Sequence, residues 1–426
     1  MLKFAVSRVL TLLSASLIPV FAVSLLIWTL NLTSETSFAA IPAARLVPEV
    51  SGFGWLFPEG SLPENLGLYP SQNNIALEYF HSRFYVAFRN SRNHFASDEA
   101  RIIVVSSEEL PSRTRSIHWK LEQIVFMKTD LREPYFLITP SDQLVLSFFQ
   151  GGVKTTKFEP QHIFRIAKAG SEADGDAWSA PEVWGDPHEI AWEMKERSGK
   201  FWMTSYIGNH YGTQKAGLDV RFKESTDGFH WTSLDPANPD GNVYHGGVSE
   251  VGFEFDDAGN LWGVGRNEDG DDTGFGAQLY FADKDHLGTW SALSKSDPKR
   301  YDSPRMFKHG SELYLVARRD TGKAFGLLDR HLPYLARKWI SLARYSLRPK
   351  RTALYHINQT THAVEWLMDL PSAGDNAFPS IVKMSDDRYL VANYTSPLKY
   401  THWSWITGQV SPKGTQVYWL ELNFAP

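Results

Sequence analysis

The sequence predicts an all-β protein, a six-bladed β-propeller that follows an N-terminal membrane-directed segment. Three observations predict it. A two-strand pattern returns six times, helical periodicity is scarce, and the aromatic content of 14% suits a β-rich chain. Each unit reads as an apolar strand, a polar turn, and a second apolar strand that ends in polar or aromatic residues. The units open with "NNIALEYFHSRFYVAFR" at 73, "REPYFLITPSDQLVLSFF" at 132 and "EIAWEMKERSGKFWMTSY" at 189. They continue with "SEVGFEFDDAGNLWGVGR" at 249, "SPRMFKHGSELYLVARR" at 303 and "AFPSIVKMSDDRYLVANY" at 377. Their spacing, roughly 50 to 75 residues, is in or somewhat above the propeller range. Six units of about four strands each make a six-bladed ring. Two packed β-sandwiches are the alternative, and the regular period counts against them.

At the N-terminus, Lys3 and Arg8 precede "VLTLLSASLIPVFAVSLLIWTL", 22 residues without a charge. That length matches a membrane span, and the flanking cations put the N-terminus in the cytoplasm. "SFAA" at 37–40 keeps a cleaved signal peptide open beside an uncleaved anchor. Residues 1–40 are therefore a signal anchor or signal peptide with a short linker. The rest is then membrane-anchored outside the cytoplasm, or secreted or periplasmic. Residues 41–70 read as a Pro/Gly-rich approach, and 71–426 as the propeller.

Within the propeller, "ESTDGFHW" (224–231) sets Ser225, Asp227, Gly228 and Trp231 in a turn. Asp bonds its own backbone amides there, Gly permits positive φ, and Trp packs under the hairpin. "HLPYLARKWISLARYSL" (331–347) reads as a helix or a long strand pair, an insertion in the fifth blade. "NEDGDDTG" (267–274) crowds Asp269, Asp271 and Asp272 around Gly270. It partly resembles a calcium loop but lacks the full spacing, so it reads as a solvated turn, with a structural calcium as the alternative. No other cofactor is indicated.

Composition excludes several classes. With no cysteine there is no disulfide, thiolate catalysis or Cys-ligated zinc. A net charge of −5 without a basic domain argues against nucleic acid.

In a propeller the first strand of each blade lines the channel, so first-strand starts and second-strand ends converge. Here those positions are charged: Arg89, Arg92 and Asp98; Arg132 and Glu133; His188 and Glu189; Glu250 and Arg266; Arg305, Arg318 and Arg319. Any one arginine can be explained by a neighbouring carboxylate. The set needs partners or a charged ligand, and arginines gathered on one point suit a sugar carboxylate or sulfate.

At this point the chain resembles the sialidase (neuraminidase) superfamily. "SEVGFEFDDAGNLWGVGR" resembles the segment holding the glutamate that activates the nucleophile and the second arginine of the carboxylate-binding triad. Those roles would fall on Glu250 and Arg266. "AFRNSRNHFASDEARIIVV" (87–105) resembles the segment with a substrate arginine and the acid/base aspartate, here Arg92 and Asp98. Two positions depart from the pattern. "NNIAL" offers Asn74 in place of the first triad arginine, and Phe378 stands where the nucleophilic tyrosine belongs. Phenylalanine cannot attack an anomeric carbon.

The resemblance thus implies a glycan-active protein that hydrolyses an acidic sugar with an altered site, Asp98 and Glu250 acting as acid and base. Arg92, Arg132, Arg266, Arg305 and Arg319 would bind substrate, with Tyr206, His210, Tyr211 and Tyr394. Two other readings stand beside it: a polysaccharide lyase using the His/Tyr of "SYIGNHYG", or a propeller that binds carbohydrate without turnover.

Overall fold

The computed structural model describes residues 47–57, 62–63, 66–111, 117–152, 162–170, 177–298, 301–322 and 331–424. The expected signal or anchor segment, 1–40, lies outside them. Among the described residues no helix is long and apolar enough to cross a membrane.

Six antiparallel sheets follow one another around a ring. Their first strands are Ser71–Phe80, Asp130–Ile138, Ile190–Arg197, Ser249–Phe255, Asp302–His309 and Asn376–Lys383. Their second strands are Arg83–Ser91, Gln143–Gly151, Lys200–Gly208, Leu261–Asp271, Glu312–Asp320 and Arg388–Thr395. All six repeats read from the sequence are these hairpins. The architecture is a six-bladed propeller and not a pair of sandwiches. The third blade has a fifth strand, Asn242–Gly246, paired with Leu218–Ser225.

Each blade is apolar on both faces because it packs on two neighbours. In the fifth blade Leu313, Leu315 and Ala317 pack with Trp262, Val264 and Leu279 of the fourth. The alternate residues, Tyr314 and Val316, pack with Tyr389, Val391 and Leu420 of the sixth. The pleat sends successive side chains to opposite faces, so a strand buried on both sides reads as a nearly continuous apolar run.

One expected boundary moves. Residues 49–57, read as part of an approach segment, are the outermost strand of the sixth blade, Glu49–Phe57, paired with Gln416–Asn423. The propeller therefore begins before residue 71. The chain's first described strand is fastened to its last, which closes the ring. The glycines of "SGFG" are the reason the segment looked like a linker. A Cβ on Gly52 would stand 2.6 Å from Trp419 Cζ3, and one on Gly54 2.7 Å from Trp419 Nε1. Both glycines leave room for the Trp419 ring to lie across the strand.

Two local expectations resolve. Ser225–Trp231 is closed by its own side chains: Asp227 Oδ1 accepts from Phe229 N at 2.8 Å and His230 N at 2.8 Å, and Gly228 has φ 77°. Trp231 sits 6.2 Å, ring to ring, from Trp184 of the second blade. The insertion in blade five is a helix, Tyr334–Ser346.

Gly54→Ala should destabilise the fold by about 1–3 kcal/mol, as overpacking does. Urea unfolding followed by tryptophan fluorescence measures it.

Candidate functional site

Five of the six first strands share a device at the mouth where they begin and the second strands end. Asn74, Glu133, Glu250, Ser303 and Phe378 all have left-handed φ, between 50° and 53°. Each falls where the pairing register between first and second strand slips. These are β-bulges, which re-aim a side chain at the end of a sheet. For a residue other than glycine this conformation costs about 1–3 kcal/mol and persists where its surroundings hold it. Three bulged residues precede proline (Pro134, Pro304 and Pro379), a residue with no N–H to lose from the ladder.

At the fourth blade the bulge turns Glu250 toward Arg266, its neighbour on the second strand. Arg266 Nη1 donates to Glu250 Oε1 at 2.6 Å, and Nη2 donates to Glu268 Oε1 at 2.6 Å. Its Nε lies 3.4 Å from Asp302 Oδ2. The other Glu250 oxygen accepts from the N–H and hydroxyl of Ser303 at 3.1 and 3.2 Å. Glu250 and Arg266 are both buried. Burial pulls the Arg266 pKa down, but Glu250 and Glu268 outweigh it and hold the cation well above its ordinary range. The pair is neither a surface ion pair nor a free one. It fastens the fourth blade to the fifth.

Glu133 occupies the second blade's bulge. Burial, then the charge of Glu250, push its carboxyl up to about 8, against the pull of Arg132, Arg305 and Arg266. One of its oxygens, Oε2, has no hydrogen-bond partner among the described residues. Two carboxyls thus share this mouth. Glu250 accepts from a guanidinium, an amide and a hydroxyl, and Glu133 keeps its proton at neutral pH.

The loop after the third blade's second strand brings His210 and Tyr211 over the same mouth. The Tyr211 hydroxyl donates to Glu268 Oε2 at 2.9 Å, and His210 Nε2 stands 3.4 Å from the same oxygen. The insertion helix holds this loop, since Lys338 Nζ donates to Gly212 O at 2.7 Å and pairs with Asp269 at 3.0 Å. Tyr334 donates to Gln214 O at 3.1 Å and Asp269 O at 2.8 Å. Tyr206 is buried nearby, and burial, then Glu133 and Glu250, raise its pKa well above the ordinary tyrosine value. Burial likewise raises Tyr211 and Tyr394. All three phenols keep their protons.

The remaining expected residues divide. Arg132 lies at this mouth, bound to Asp130 and donating to His94 O at 2.7 Å. Tyr394 lies against Phe378, ring centroids 6.4 Å apart, with its hydroxyl 3.4 Å from Asp375. Phe378 itself packs on Trp192 at 5.4 Å and forms an apolar floor. Arg92 is exposed and paired with Glu99, and Asp98 is exposed on the same loop. Arg319 points away, bound to Asp369 at 2.5 and 2.6 Å. Its strand neighbour Arg318 faces the mouth instead, because successive side chains alternate. Arg318 donates to Tyr345 Oη at 2.6 Å and Asn376 O at 3.0 Å and stacks on Trp405 at 4.6 Å. Among the described residues it has no carboxylate within ion-pair distance. Arg305 lies deeper, donating to Trp192 O at 2.6 Å, and lines a cavity at the opposite mouth.

The segment 267–274 is not the solvated turn expected from the sequence, because Asp269 and Asp271 are buried. Asp269 is taken up by Lys338 and the Tyr211 amide, at 3.0 Å each, and Asp271 by Tyr244 at 3.0 Å and Thr273 at 2.6 Å. Among the described residues no group of three or more His, Asp or Glu is arranged to hold a metal ion.

Solved structures share the fold. The chain matches a protein of unknown function from Dyadobacter fermentans DSM 18053 over 88% of its own length and 100% of the other, at 11% identity and TM-score 0.53. It matches the Trypanosoma rangeli sialidase over 87% of its length and 59% of that chain, at 10% identity and TM-score 0.51. It matches the Penicillium chrysogenum alpha-L-arabinanase complexed with arabinobiose over 88% and 99%, at 12% identity and TM-score 0.50. The fold is the one sialidases use. The chain spans little more than half the length of the sialidase chain. No family model and no curated protein matches the sequence.

Sequence reasoning counted Glu133 and Arg318 among the channel charges without giving either a role, and left out Glu268. The first had a usable signal, since "REP" repeats the charged first-strand start of "SEV" and stands before a proline. Arg318 could not be told from Arg319 without knowing which way the strand faces.

The Glu133 pKa gives a stability test. A carboxyl raised from 4.5 to about 8 binds its proton more tightly in the folded state, so its contribution is present at low pH and is lost as pH rises toward 8. Between about pH 5 and about pH 8, wild type should lose stability relative to Glu133→Gln, measured by parallel urea titrations.

Proposed function

We propose that this chain is a glycan-active enzyme that hydrolyses a glycosidic bond next to an acidic sugar, with Glu133 as the proton donor and Glu250 as the base. One observation carries the reading: a carboxyl that keeps its proton at neutral pH opens on the same mouth as a carboxylate fixed by Arg266 and Ser303. A carboxyl whose environment holds its proton, beside a second carboxyl in a different environment, is how one site supplies both an acid and a base. Glu133 gives its proton to the leaving glycosidic oxygen as the C–O bond breaks. Glu250 takes a proton from the water that bonds to the anomeric carbon. No tyrosine stands at the Phe378 bulge, so a water attack is the simpler route.

Arg318 supports the acidic substrate. A buried guanidinium without a carboxylate suits a ligand carboxylate or sulfate in a planar, hydrogen-bonded grip. Tyr206, His210 and Tyr211 are placed in this reading to meet sugar hydroxyls. The proton-donor role expected of Asp98 passes to Glu133 because Asp98 is exposed and Glu133 is the protonated group.

We also infer that residues 1–40 hold the propeller at a membrane or direct its export. Glu49 pairs with Asn423, which pairs with Arg388 at the hairpin on the mouth opposite the site. An anchored chain therefore presents the catalytic mouth away from its attachment. Deleting residues 1–40 should move the protein from the membrane to the soluble fraction.

A panel of acidic oligosaccharides, with products followed by NMR, tests the activity. Glu133→Gln should lower kcat by about 10²–10⁴-fold, the range of a lost proton donor. Wild-type kcat should fall as pH rises through about 8, because the acid is then ionised. Asp98→Asn should matter far less. The first-formed sugar should have inverted configuration; retained configuration would move Glu250 or a tyrosine to the nucleophile's role. An unsaturated product would favour the lyase, and binding without product the non-catalytic module.

Arg318→Lys keeps the charge and loses the fork. It should lower kcat/KM for acidic substrates about ten-fold, roughly 1.4 kcal/mol, and leave neutral ones unaffected.

A further inference from the structure

The other end of the channel holds a cavity of about 940 Å³, lined by the far ends of the first strands. That is within the size of small-molecule sites. Four of its cations are already neutralised by carboxylates. Lys195 stands 3.4 Å from Glu193 and Glu254, and Arg197 2.6 Å from Glu254. Lys308 pairs with Asp257 at 2.5 Å and Lys383 with Asp386 at 3.0 Å.

Arg305 differs from these. It is 6% exposed, and no carboxylate lies within ion-pair distance of it among the described residues. One N–H goes to Trp192 O at 2.6 Å. Its guanidinium is flanked by the Trp192 and Tyr135 rings, 4.5 and 4.9 Å from their centroids. The rings hold the planar group and leave its edge for another partner. A buried charge is costly without one.

We propose that this cavity is a second binding site, separate from the catalytic mouth, for the carboxylate of a small organic or sugar acid gripped by Arg305. Tyr135, which lines the same cavity, adds a hydroxyl donor. The charge count favours a single negative charge over sulfate or phosphate dianions. Glu78 and Glu193 line the same cavity, and a dianion would oppose them. Burial raises both carboxyls, Glu78 to about 7, so the walls accept one negative charge more readily than two. The catalytic reading is not needed for this site, because Arg305 lines this cavity and Glu133, Glu250 and Arg318 do not.

The test is calorimetric titration of the full chain with galacturonate, with galactose and sulfate as controls. Galacturonate should bind measurably more tightly than either control. Arg305→Gln should weaken it ten-fold or more. Tyr135→Phe, which keeps the ring beside Arg305, should weaken it several-fold with unfolding unchanged, so the site remains testable if Arg305→Gln fails to fold. Arg318→Lys should leave this binding as it is. Three results would each overturn the proposal: no galacturonate binding in wild type, equal binding of galactose, or binding lost in Arg318→Lys and kept in Tyr135→Phe. The last would assign the ligand to the catalytic mouth and leave the proposed hydrolysis standing.

Discussion

Six sheets that are apolar on both faces can bury themselves only by closing into a ring, and this ring is closed by one strand pairing. Glu49–Phe57 joins Gln416–Asn423 in the sixth blade, so the two ends of the domain are hydrogen-bonded to each other. Every blade then has two neighbours, and no apolar face is left for solvent. Trp419 crosses the closing strand where Gly52 and Gly54 admit it. At the axis Trp192 meets Phe378 and stacks on Arg305, so the centre is packed.

Closure is also what assembles the site. Asn74, Glu133, Glu250, Ser303 and Phe378 are spread over three hundred residues of sequence, yet equivalent bulges aim them at one mouth. A left-handed glutamate is locally unfavourable, and at the fourth blade the ring supplies what holds it, Arg266 and Ser303 for Glu250. Such a buried pair is weak evidence for stability, because desolvation offsets much of its attraction. Its value here is in orientation, since Glu250 accepts bonds from two blades and cannot swing.

The ring was legible in the sequence because it repeats. Six hairpins, each with polar turn and apolar arms, are hard to read otherwise, and all six stand where the pattern put them. The site was legible only in part. Glu250 and Arg266 sit across one hairpin, and Tyr206, His210 and Tyr211 gather near them through a loop the insertion helix holds. Facing defeated the rest: Arg319 and Arg318 are adjacent in sequence and opposite in space. Arg305 lies two residues past a bulge, enough to carry it to the other mouth. The closing strand was obscured by the glycines that let Trp419 lie on it.

The arginines separate by what already neutralises them. Arg266 has Glu250, Glu268 and Asp302 around it, so a substrate carboxylate could use it only by displacing one of them. Arg132 is spent on Asp130 and His94, and Arg89 on Asp130 and the loop after its strand. What remains at this mouth is Arg318, held by Tyr345 and Trp405, with no carboxylate within ion-pair distance among the described residues. An anion there would meet a guanidinium oriented before it arrives. In the proposed hydrolysis Glu250, bonded to Arg266 and Ser303, would stay apart from that anion to act on water. In the proposed function the division of labour would follow from charge: Arg266 would set the base and Arg318 would receive the substrate, while Arg92 and Arg319 are already paired with Glu99 and Asp369.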